Sequence, residues 1–382
     1  IMQSFVKEYS PEICKLNVNY RSKGEIIALA GRVIGHNKNR LAKKIIGTEK
    51  DFAAGSAVRV QEFQGMTEQN EKIREEILSY RHQKIPYREM AVLFRTNTQA
   101  RAISAKLKEY NIPFAMKEMV PNLYDHWIVR DILTYIRVAM GNRERANILR
   151  IINRPKRYVH RNALTEPYID LKELELFYED KDWMVDRIVN LRADLGLIAD
   201  MRPYAAVNFI RRGVGYDDYI QEYAEYRGIR AADMYEILDE LQEASKGFKD
   251  FDEWFEYIRS YGEELKKQSK KSRQTDNGQP EDAVMLMTMH GSKGLEFECV
   301  FIPDVNEGVT PYNKAVLTED IEEERRMFYV AMTRAKSHLH IYYLKERFSK
   351  EVSVSRFVGE MLGTPDNSSA AASSCISFNK KR

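Results

Sequence analysis

The chemistry that this sequence could perform begins with a polar loop between two apolar segments. Residues 284–289 and 299–303 are apolar and have the composition of buried β-strands. The loop between them carries His290, Lys293 and Glu296. A lysine, a carboxylate and backbone N–H groups at the edge of a sheet are typical of sites that bind phosphorylated ligands in α/β proteins. An ordinary surface turn is the alternative interpretation of this segment taken alone.

Tyr20 and Arg21 form a second pair of candidate residues. They precede a predicted helix, in which Ser22 would cap the N-terminus and Glu25 would complete a capping box. The aromatic ring could stack on a base, and the guanidinium could contact a phosphate. The alternative is a half-buried tyrosine beside a solvated arginine.

Arg334 follows a predicted helix that begins near residue 320 and ends near residue 332. We expect it to share a packed helix face with Val330 and Ala331, which would fix its backbone. A planar, permanently charged guanidinium suits the stabilisation of the charge that develops during phosphoryl transfer. The alternative is a structural arginine that pairs with a neighbouring carboxylate.

The elements that would position these residues alternate along the chain. Apolar segments predict strands and amphipathic segments predict helices, in the order expected for a parallel sheet with crossover helices. Arg95 and Asn97 directly follow a compact apolar strand, where such sheets present ligand contacts, although Arg95 could also be a surface cation. The predicted elements are strand 58–63, helix 67–81, strand 90–95 and helix 98–110.

Several segments resemble the UvrD/Rep-like DNA helicases of superfamily 1, which include PcrA. NYRS at residues 19–22 resembles motif IV, TMHGSKGLEF at residues 288–297 resembles motif V, and EEERRMFYVAMTRA at residues 322–335 resembles motif VI. The resemblance covers residues 1–350 and the C-terminal half of such a helicase. It implies an α/β fold, in which a RecA-like parallel-sheet lobe of the P-loop NTPase type carries a large all-α insertion.

The resemblance also implies a domain organisation. Residues 1–116 and 283–350 would form the two parts of the second motor lobe, and residues 117–264 would form the inserted helical subdomain. Residues 265–282 are polar and lysine-rich, so we expect a mobile linker there. Residues 351–382 would form a C-terminal tail that is largely disordered.

The resemblance assigns nucleotide-site roles to four residues. Arg334 would be the arginine finger and Arg21 would contact the γ-phosphate, so both would be catalytic. Tyr20 would stack on adenine, and Glu296 would contact the ribose. The cofactor would be ATP, with Mg²⁺ bound by a first motor lobe that this chain lacks.

Four further residues match positions that approach single-stranded DNA in the family. Arg95 and Asn97 would approach the strand itself, whereas His290 and Lys293 would lie near its phosphates. The helical segment departs from the family at residues 157–164, RYVHRNAL, where the family often has a glycine-bearing turn that meets duplex DNA.

Composition and charge exclude several other classes of protein. The 382 residues carry a formal net charge of +3, which is too small to establish nucleic-acid binding. Cys14, Cys299 and Cys375 form no CxxC pair and the seven histidines show no ligand spacing, so we predict neither a disulfide framework nor a metal site. No apolar run is long enough to span a membrane. We expect a cytoplasmic protein without a membrane partner, which the resemblance would place at the bacterial nucleoid.

The sequence contains no G-x-x-x-x-G-K-[ST] loop and no acidic pair that closes an apolar strand. We therefore expect the chain, which begins at Ile1, to act with a preceding first motor lobe, in an ATP-dependent 3′-to-5′ DNA helicase or translocase, and to be inactive alone. One alternative is a stand-alone module that binds single-stranded DNA and lacks ATP chemistry. Another is the helicase-like half of a recombination nuclease.

Overall fold

The computed structural model describes residues 8–9, 17–39, 45–47, 57–116, 122–274 and 282–363, and of residues 264–274 it describes the backbone alone. The chain forms two compact units. One, here called the sheet unit, comprises Ile1–Val120 and Gly278–Arg382, and the other, here called the helical unit, comprises Pro121–Asn277.

A six-stranded sheet organises the sheet unit. Its strands run in the order β3-β8-β7-β4-β6-β5, and every neighbouring pair is parallel. All residues of β4 are buried, as expected for a central parallel strand that is covered on both faces. The described strands are β1 (Val18–Asn19), β2 (Ile46–Gly47), β3 (Val58–Phe63), β4 (Met90–Phe94), β5 (Phe114–Met116), β6 (Val284–Thr288), β7 (Phe297–Ile302), β8 (Ala335–Leu344), β9 (Glu346–Arg347) and β10 (Lys350–Glu351).

Helices cover both faces of this sheet and build the helical unit. The described α-helices of the sheet unit are α1 (Gly24–Gly35), α2 (Met66–His82), α3 (Ala100–Glu109), α12 (Thr318–Met332) and α13 (Arg356–Leu362). Those of the helical unit are α4 (Trp127–Ala139), α5 (Arg145–Ile151), α6 (Leu171–Phe177), α7 (Asp182–Ala199), α8 (Pro203–Arg212), α9 (Tyr216–Arg227), α10 (Ala231–Ala244) and α11 (Phe251–Gln274).

The two faces of the sheet have separate apolar cores. On one face Ile26 of α1, Phe328 of α12 and Phe357 of α13 pack against β4, β7 and β8. On the other face Ile73 of α2 and Ile103 of α3 pack against the same sheet. The helical insertion lies between β5 and β6 in the chain, so the predicted α/β class with an all-α insertion is confirmed.

The helical unit has its own apolar core, to which all eight of its described α-helices contribute. Phe251 and Trp254 of α11 are buried in this core and act as packing residues. None of the described helices of either unit is long and apolar enough to span a lipid bilayer.

Two sequence-based boundaries are wrong. Helix α11 continues to Gln274, so the first part of the predicted linker at residues 265–282 is helical, because lysine and glutamine favour helices even without an apolar stripe. The predicted tail at residues 351–382 begins with ordered structure, since Phe357 and Met361 of α13 are buried in the sheet-unit core. Residues 364–382 lie outside the described residues.

The predicted capping box at the start of α1 is also wrong. The helix begins after Lys23, and the Ser22 hydroxyl is buried without a hydrogen-bond partner among the described residues. The Glu25 carboxylate accepts a hydrogen bond from the backbone N–H of Ala57 at 3.0 Å. It therefore connects α1 to the chain that enters β3 and does not cap its own helix.

Candidate nucleotide and nucleic-acid sites

The polar loop of residues 289–296 runs across one face of the sheet, from the edge at the carboxyl ends of the strands to the edge at their amino ends. Strands β6 and β7 both pair in parallel with β4, which lies between them. The carboxyl end of β6 and the amino end of β7 therefore lie at opposite edges of the sheet. Met289 and Leu295 pack against the core on the α1 and α12 face as the loop crosses. The expectation that the loop lies at one edge is wrong, because His290 follows β6 whereas Glu296 precedes β7.

Arg21 and Glu296 meet at the amino ends of β7 and β8. The backbone N–H groups of Arg21 and Ser22 donate to the Asn19 side-chain oxygen at 2.8 and 3.1 Å, which fixes the turn before α1. From this turn the Arg21 Nε donates to Glu296 Oε2 at 2.6 Å. Both side chains remain accessible to solvent, with exposed fractions of 34% and 46%.

Lys336, the second residue of β8, adds a cation to this pair. Its Nζ lies 3.5 Å from Glu296 Oε1 and 3.4 Å from Glu89 Oε2. The hydrogen bond from Arg21 lowers the pKa of Glu296, and the charge of Lys336 lowers it further. Glu296 is therefore held as a carboxylate between two cations.

Arg334 lies beside this cluster, in the turn between α12 and β8. Its Nε donates to the Val330 carbonyl at 3.0 Å, and its Nη1 donates to the Leu295 carbonyl at 3.0 Å. Because α12 ends at Met332, the expected position of Arg334 on the helix face is wrong, and it instead satisfies a carbonyl at the helix C-terminus. Among the described residues no carboxylate forms a salt bridge with it.

The electrostatic setting of Arg334 differs from that of an isolated surface arginine. Partial burial lowers its pKa, and the positive charge of Arg21 lowers it further, although Glu296 acts in the opposite direction. Two guanidinium groups therefore lie close together at one sheet edge with a single carboxylate near both. This arrangement favours the binding of an additional anion.

Tyr20 lies next to Arg21 in the chain and presents its ring to solvent. Its exposed fraction is 82%, so the alternative of a half-buried tyrosine does not describe it. The ring belongs to the same turn that positions Arg21. An exposed aromatic ring beside a cluster of cationic side chains suits the stacking of a nucleobase.

The carboxyl edge of the sheet carries the second set of candidate residues. Phe94 and Thr288 are register partners at the ends of β4 and β6, and Met289 donates its backbone N–H to the Phe94 carbonyl at 2.6 Å. Arg95 and His290 therefore leave the sheet side by side. The structure thus separates the eight candidates into one set at the amino ends of β7 and β8 and another at the carboxyl ends of β4 and β6.

Arg95 is held by a buried carboxylate. Its Nε and Nη2 lie 2.7–3.1 Å from the Glu324 oxygens, and the side chain of Glu324 is 8% exposed. Glu324 also accepts the backbone N–H of Tyr312 at 3.1 Å, while the Tyr312 ring lies 5.0 Å from the Arg95 guanidinium carbon. This pair connects the end of β4 to α12, so Arg95 has a structural role and is not a simple surface cation.

The remaining candidates at this edge are more accessible. Asn97 begins a short 3₁₀ helix (Asn97–Gln99) and is partly exposed, whereas His290 and Lys293 are exposed. The loop has a closed backbone, because the N–H groups of four of its residues donate to acceptors within residues 288–292. Side chains, and not a row of backbone amides, would therefore contact a ligand here. The four residues are Gly291, Ser292, Lys293 and Leu295.

Three residues of these sites escaped the sequence-based analysis. Glu324 lies inside the segment that resembles motif VI and Lys336 directly follows that segment, but their partners are distant in the chain. Asn19 belongs to the NYRS segment, where the preference of asparagine for side-chain-capped turns could have revealed its role. Among the described residues, no group of three or more His, Cys, Asp or Glu side chains could hold a metal ion.

The segment of the helical unit that departs from the family pattern, residues 157–164, contains a residue with an unusual backbone conformation. Tyr158 has a φ of 62°, in the left-handed region that favours glycine, and its side chain is 62% exposed. The Arg187 guanidinium carbon lies 5.1 Å from the Tyr158 ring and 5.0 Å from the Trp183 ring. A tyrosine with aromatic and cationic neighbours therefore occupies this left-handed backbone position.

Comparisons with known proteins match most of the chain. Residues 14–346 match the model of a family described as the UvrD-like helicase C-terminal domain. The chain is 30% identical over 353 residues to the ATP-dependent DNA helicase Rep of Buchnera aphidicola, covering 88% of this chain and 54% of that protein. It is 29% identical over 381 residues to the ATP-dependent DNA helicase PcrA of Staphylococcus epidermidis, covering 94% of this chain and 51% of that protein.

Rep of Escherichia coli, also named an ATP-dependent DNA helicase, is 25% identical over 357 residues, which cover 88% of this chain and 52% of that protein. The chain therefore spans about half the length of the curated relatives that it matches.

Proposed function

Because the chain belongs to the UvrD-like helicase C-terminal domain family, we propose that it forms the second motor lobe and inserted helical subdomain of an ATP-dependent 3′-to-5′ DNA helicase or translocase. The observation that carries the proposal is the convergence of Arg21, Glu296 and Arg334 at one edge of the sheet. These residues come from three segments that are distant in the sequence. Their shared position gives two guanidinium groups and one carboxylate that could face the same nucleotide.

Within this proposal each residue has a distinct role at the nucleotide. The exposed Tyr20 ring stacks on the adenine, and Glu296 accepts a hydrogen bond from the ribose. Arg21 exchanges its bond with Glu296 for a contact with the γ-phosphate. Arg334, oriented by the Val330 and Leu295 carbonyls, acts as the arginine finger that stabilises negative charge in the transition state.

The carboxyl edge of the sheet contributes the proposed contacts with single-stranded DNA. His290 and Lys293 are exposed and contact backbone phosphates, and Asn97 approaches the strand from the end of β4. Arg95 also faces this edge, but its guanidinium can reach a phosphate only by sharing the carboxylate of Glu324. A strand bound here would therefore act on α12, which carries Glu324 and ends beside Arg334.

In this proposal, ATP hydrolysis requires a partner lobe in addition to this chain. The sequence contains no phosphate-binding loop of the P-loop type, which would cradle the β- and γ-phosphates and bind Mg²⁺ through its Ser or Thr. A first motor lobe would supply both. We therefore expect the 382-residue chain alone to show no ATP hydrolysis above that of a matched Arg334→Ala preparation.

The test uses the full-length protein that contains this chain and measures unwinding of partial duplexes with either a 3′ or a 5′ single-stranded tail. We expect ATP-dependent unwinding from the 3′ tail and none with a non-hydrolysable ATP analogue. Unwinding from the 5′ tail alone would contradict the polarity. Single-strand binding without any DNA-stimulated hydrolysis would favour a stand-alone binding module.

A further inference from the structure

A cavity of about 540 Å³ lies within the helical unit. Four arginines line it, from α4, α5 and α11, together with two side-chain amides. The lining also contains two carboxylates, one of which pairs with Arg130, and two carboxylates beside the lining, Asp131 and Glu256, pair with Arg150 and Arg259. The arginines are Arg130, Arg137, Arg150 and Arg259, the amides are Asn122 and Asn147, and the carboxylates are Asp125 and Glu263.

One of these arginines shares its carboxylate with a second cation. Arg150 Nε donates to Asp131 Oδ1 at 2.9 Å, and Arg154 Nη1 donates to Asp131 Oδ2 at 2.6 Å. Asp131 is fully buried and also accepts the hydroxyl of Tyr216 at 2.9 Å. One carboxylate therefore neutralises two guanidinium groups, and the Arg150 charge is only partly compensated.

Arg137 is the least compensated cation of the cavity. Among the described residues no carboxylate lies within salt-bridge distance of it, and its guanidinium carbon lies 5.2 Å from the Phe255 ring. Partial desolvation by the surrounding protein lowers the pKa of Arg137, and repulsion from the positive charge of Arg150 lowers it further. Its side chain is nonetheless accessible to solvent, so a ligand could reach it.

We infer that this cavity binds a free small ligand that carries a phosphate group. Phosphate oxygens accept the paired N–H donors of a guanidinium, and a phosphate supplies the negative charge that Arg137 lacks among the described residues. Asn122 and Asn147 add uncharged groups that could orient the rest of the ligand. The volume lies in the range of small-molecule sites, and the concave lining differs from a surface track for a polymer.

The test measures binding of sodium tripolyphosphate to the 382-residue chain by isothermal titration calorimetry at low ionic strength. We expect saturable binding, with a site whose affinity is at least tenfold weaker in Arg137→Ala and in Arg259→Ala. Arg137→Lys should lose an intermediate amount, because it retains the charge without the planar fork. Arg202→Ala, at an exposed arginine outside the lining, should leave the affinity unchanged, and circular dichroism should show each variant folded.

A double variant separates this cavity from the proposed nucleotide site, which also offers guanidinium groups to phosphates. Arg137→Ala should weaken tripolyphosphate binding by the same factor in the Arg21→Ala background as in the wild type, because Arg21 belongs to the proposed nucleotide site in the sheet unit. Equal affinity in wild type, Arg137→Ala and Arg259→Ala, or no saturable binding by the wild type, would overturn the inference. Displacement of tripolyphosphate by a single-stranded oligonucleotide, lost in Arg137→Ala, would show that the phosphates come from a nucleic-acid backbone and would overturn the assignment to a free ligand.

Discussion

Arg21 Nε lies 2.6 Å from Glu296 Oε2, although one residue precedes α1 and the other precedes β7. The pair forms because α1 packs on the sheet face that the 289–296 loop crosses. Its exposed position means that it contributes little to stability, since exposed ion pairs contribute about 0–1 kcal/mol. Its more direct effect is on the charge and orientation of the two groups.

The first prediction concerns the titration of Glu296. The wild-type carboxylate should titrate below the ordinary value of 4.5, because Arg21 donates to it and Lys336 lies nearby. Arg21→Ala should raise the pKa more than Lys336→Ala does, because the hydrogen bond from Arg21 is the larger cause. Side-chain ¹³C NMR of Glu296 measures both changes. An unchanged titration in Arg21→Ala would show that the ion pair is absent in solution.

The second prediction compares the two ion pairs of the sheet unit. Arg95→Ala leaves the buried Glu324 carboxylate without its guanidinium, so the free energy of unfolding should fall by about 3 kcal/mol or more. Arg21→Ala removes an exposed pair and should cost less than about 1 kcal/mol. Urea denaturation of the two variants checks this order. Equal and small losses would show that Arg95 is not anchored by Glu324.

The third prediction concerns single-stranded DNA. The chain should bind an oligonucleotide weakly, without base preference, and with an affinity that falls steeply with salt. Lys293→Ala should lower the slope of log K against log salt by about 0.7, the value for one phosphate contact on a single strand. Fluorescence anisotropy over a salt series measures the slope. Tight binding at high salt, or a marked base preference, would favour the stand-alone module instead.

The fourth prediction follows from His340, which lies in the core of the sheet unit. The Tyr80 hydroxyl lies 2.8 Å from its Nε2, the Tyr342 hydroxyl lies 3.0 Å from its Nδ1, and its ring stacks on Phe301. Burial lowers the pKa of His340 well below 6.5, and Arg59 lowers it further. Below pH 6.5 the unfolded state therefore binds a proton that the folded state excludes.

The stability contributed by neutral His340 is present above pH 6.5 and is lost as the pH falls, by up to about 1.4 kcal/mol for each pH unit. In His340→Gln this loss is absent, so the stability difference between wild type and variant should shrink from pH 7 to pH 5.5. Urea denaturation at several pH values measures that difference. A constant difference across this range would mean that His340 titrates alike in both states.

The sheet could be predicted from the sequence because its strands are short apolar runs that alternate with amphipathic helices. The resemblance pointed to Tyr20, Arg21, Glu296 and Arg334 as a group. Their meeting at one edge could not be derived from spacing, because it depends on β4 inserting between β6 and β7. The pattern of apolar residues within a strand does not show which other strand will pair with it in the sheet.

Partners that are distant in the chain explain the other differences. Glu324 was not expected beside Arg95, since 229 positions separate the two residues. The predicted capping box starts α1 one residue early, because Glu25 pairs with the Ala57 backbone and not with its own helix. The sequence predicts a linker from residue 265 because the last turns of α11 lack an apolar stripe, although their lysine and glutamine residues favour helix.

The last prediction compares Tyr20 with Arg334 in the full-length protein. Tyr20→Ala should weaken nucleotide affinity by the ~1–3 kcal/mol expected for base stacking on an aromatic ring, and it should spare the chemical step. Arg334 should show the opposite pattern, because its charge acts mainly in the transition state. Equal effects of Tyr20→Ala on affinity and on the chemical step would contradict the stacking role.

The most direct test of the motor proposal is DNA-stimulated single-turnover ATP hydrolysis by full-length Arg334→Ala, measured beside its nucleotide affinity. We expect nucleotide affinity to stay close to that of the wild type while the hydrolysis rate falls by about 10³-fold or more. Arg334→Lys should be similarly impaired, because an ammonium lacks the planar fork of the guanidinium. Hydrolysis by Arg334→Ala at the wild-type rate would contradict the arginine-finger assignment and the central claim that rests on it.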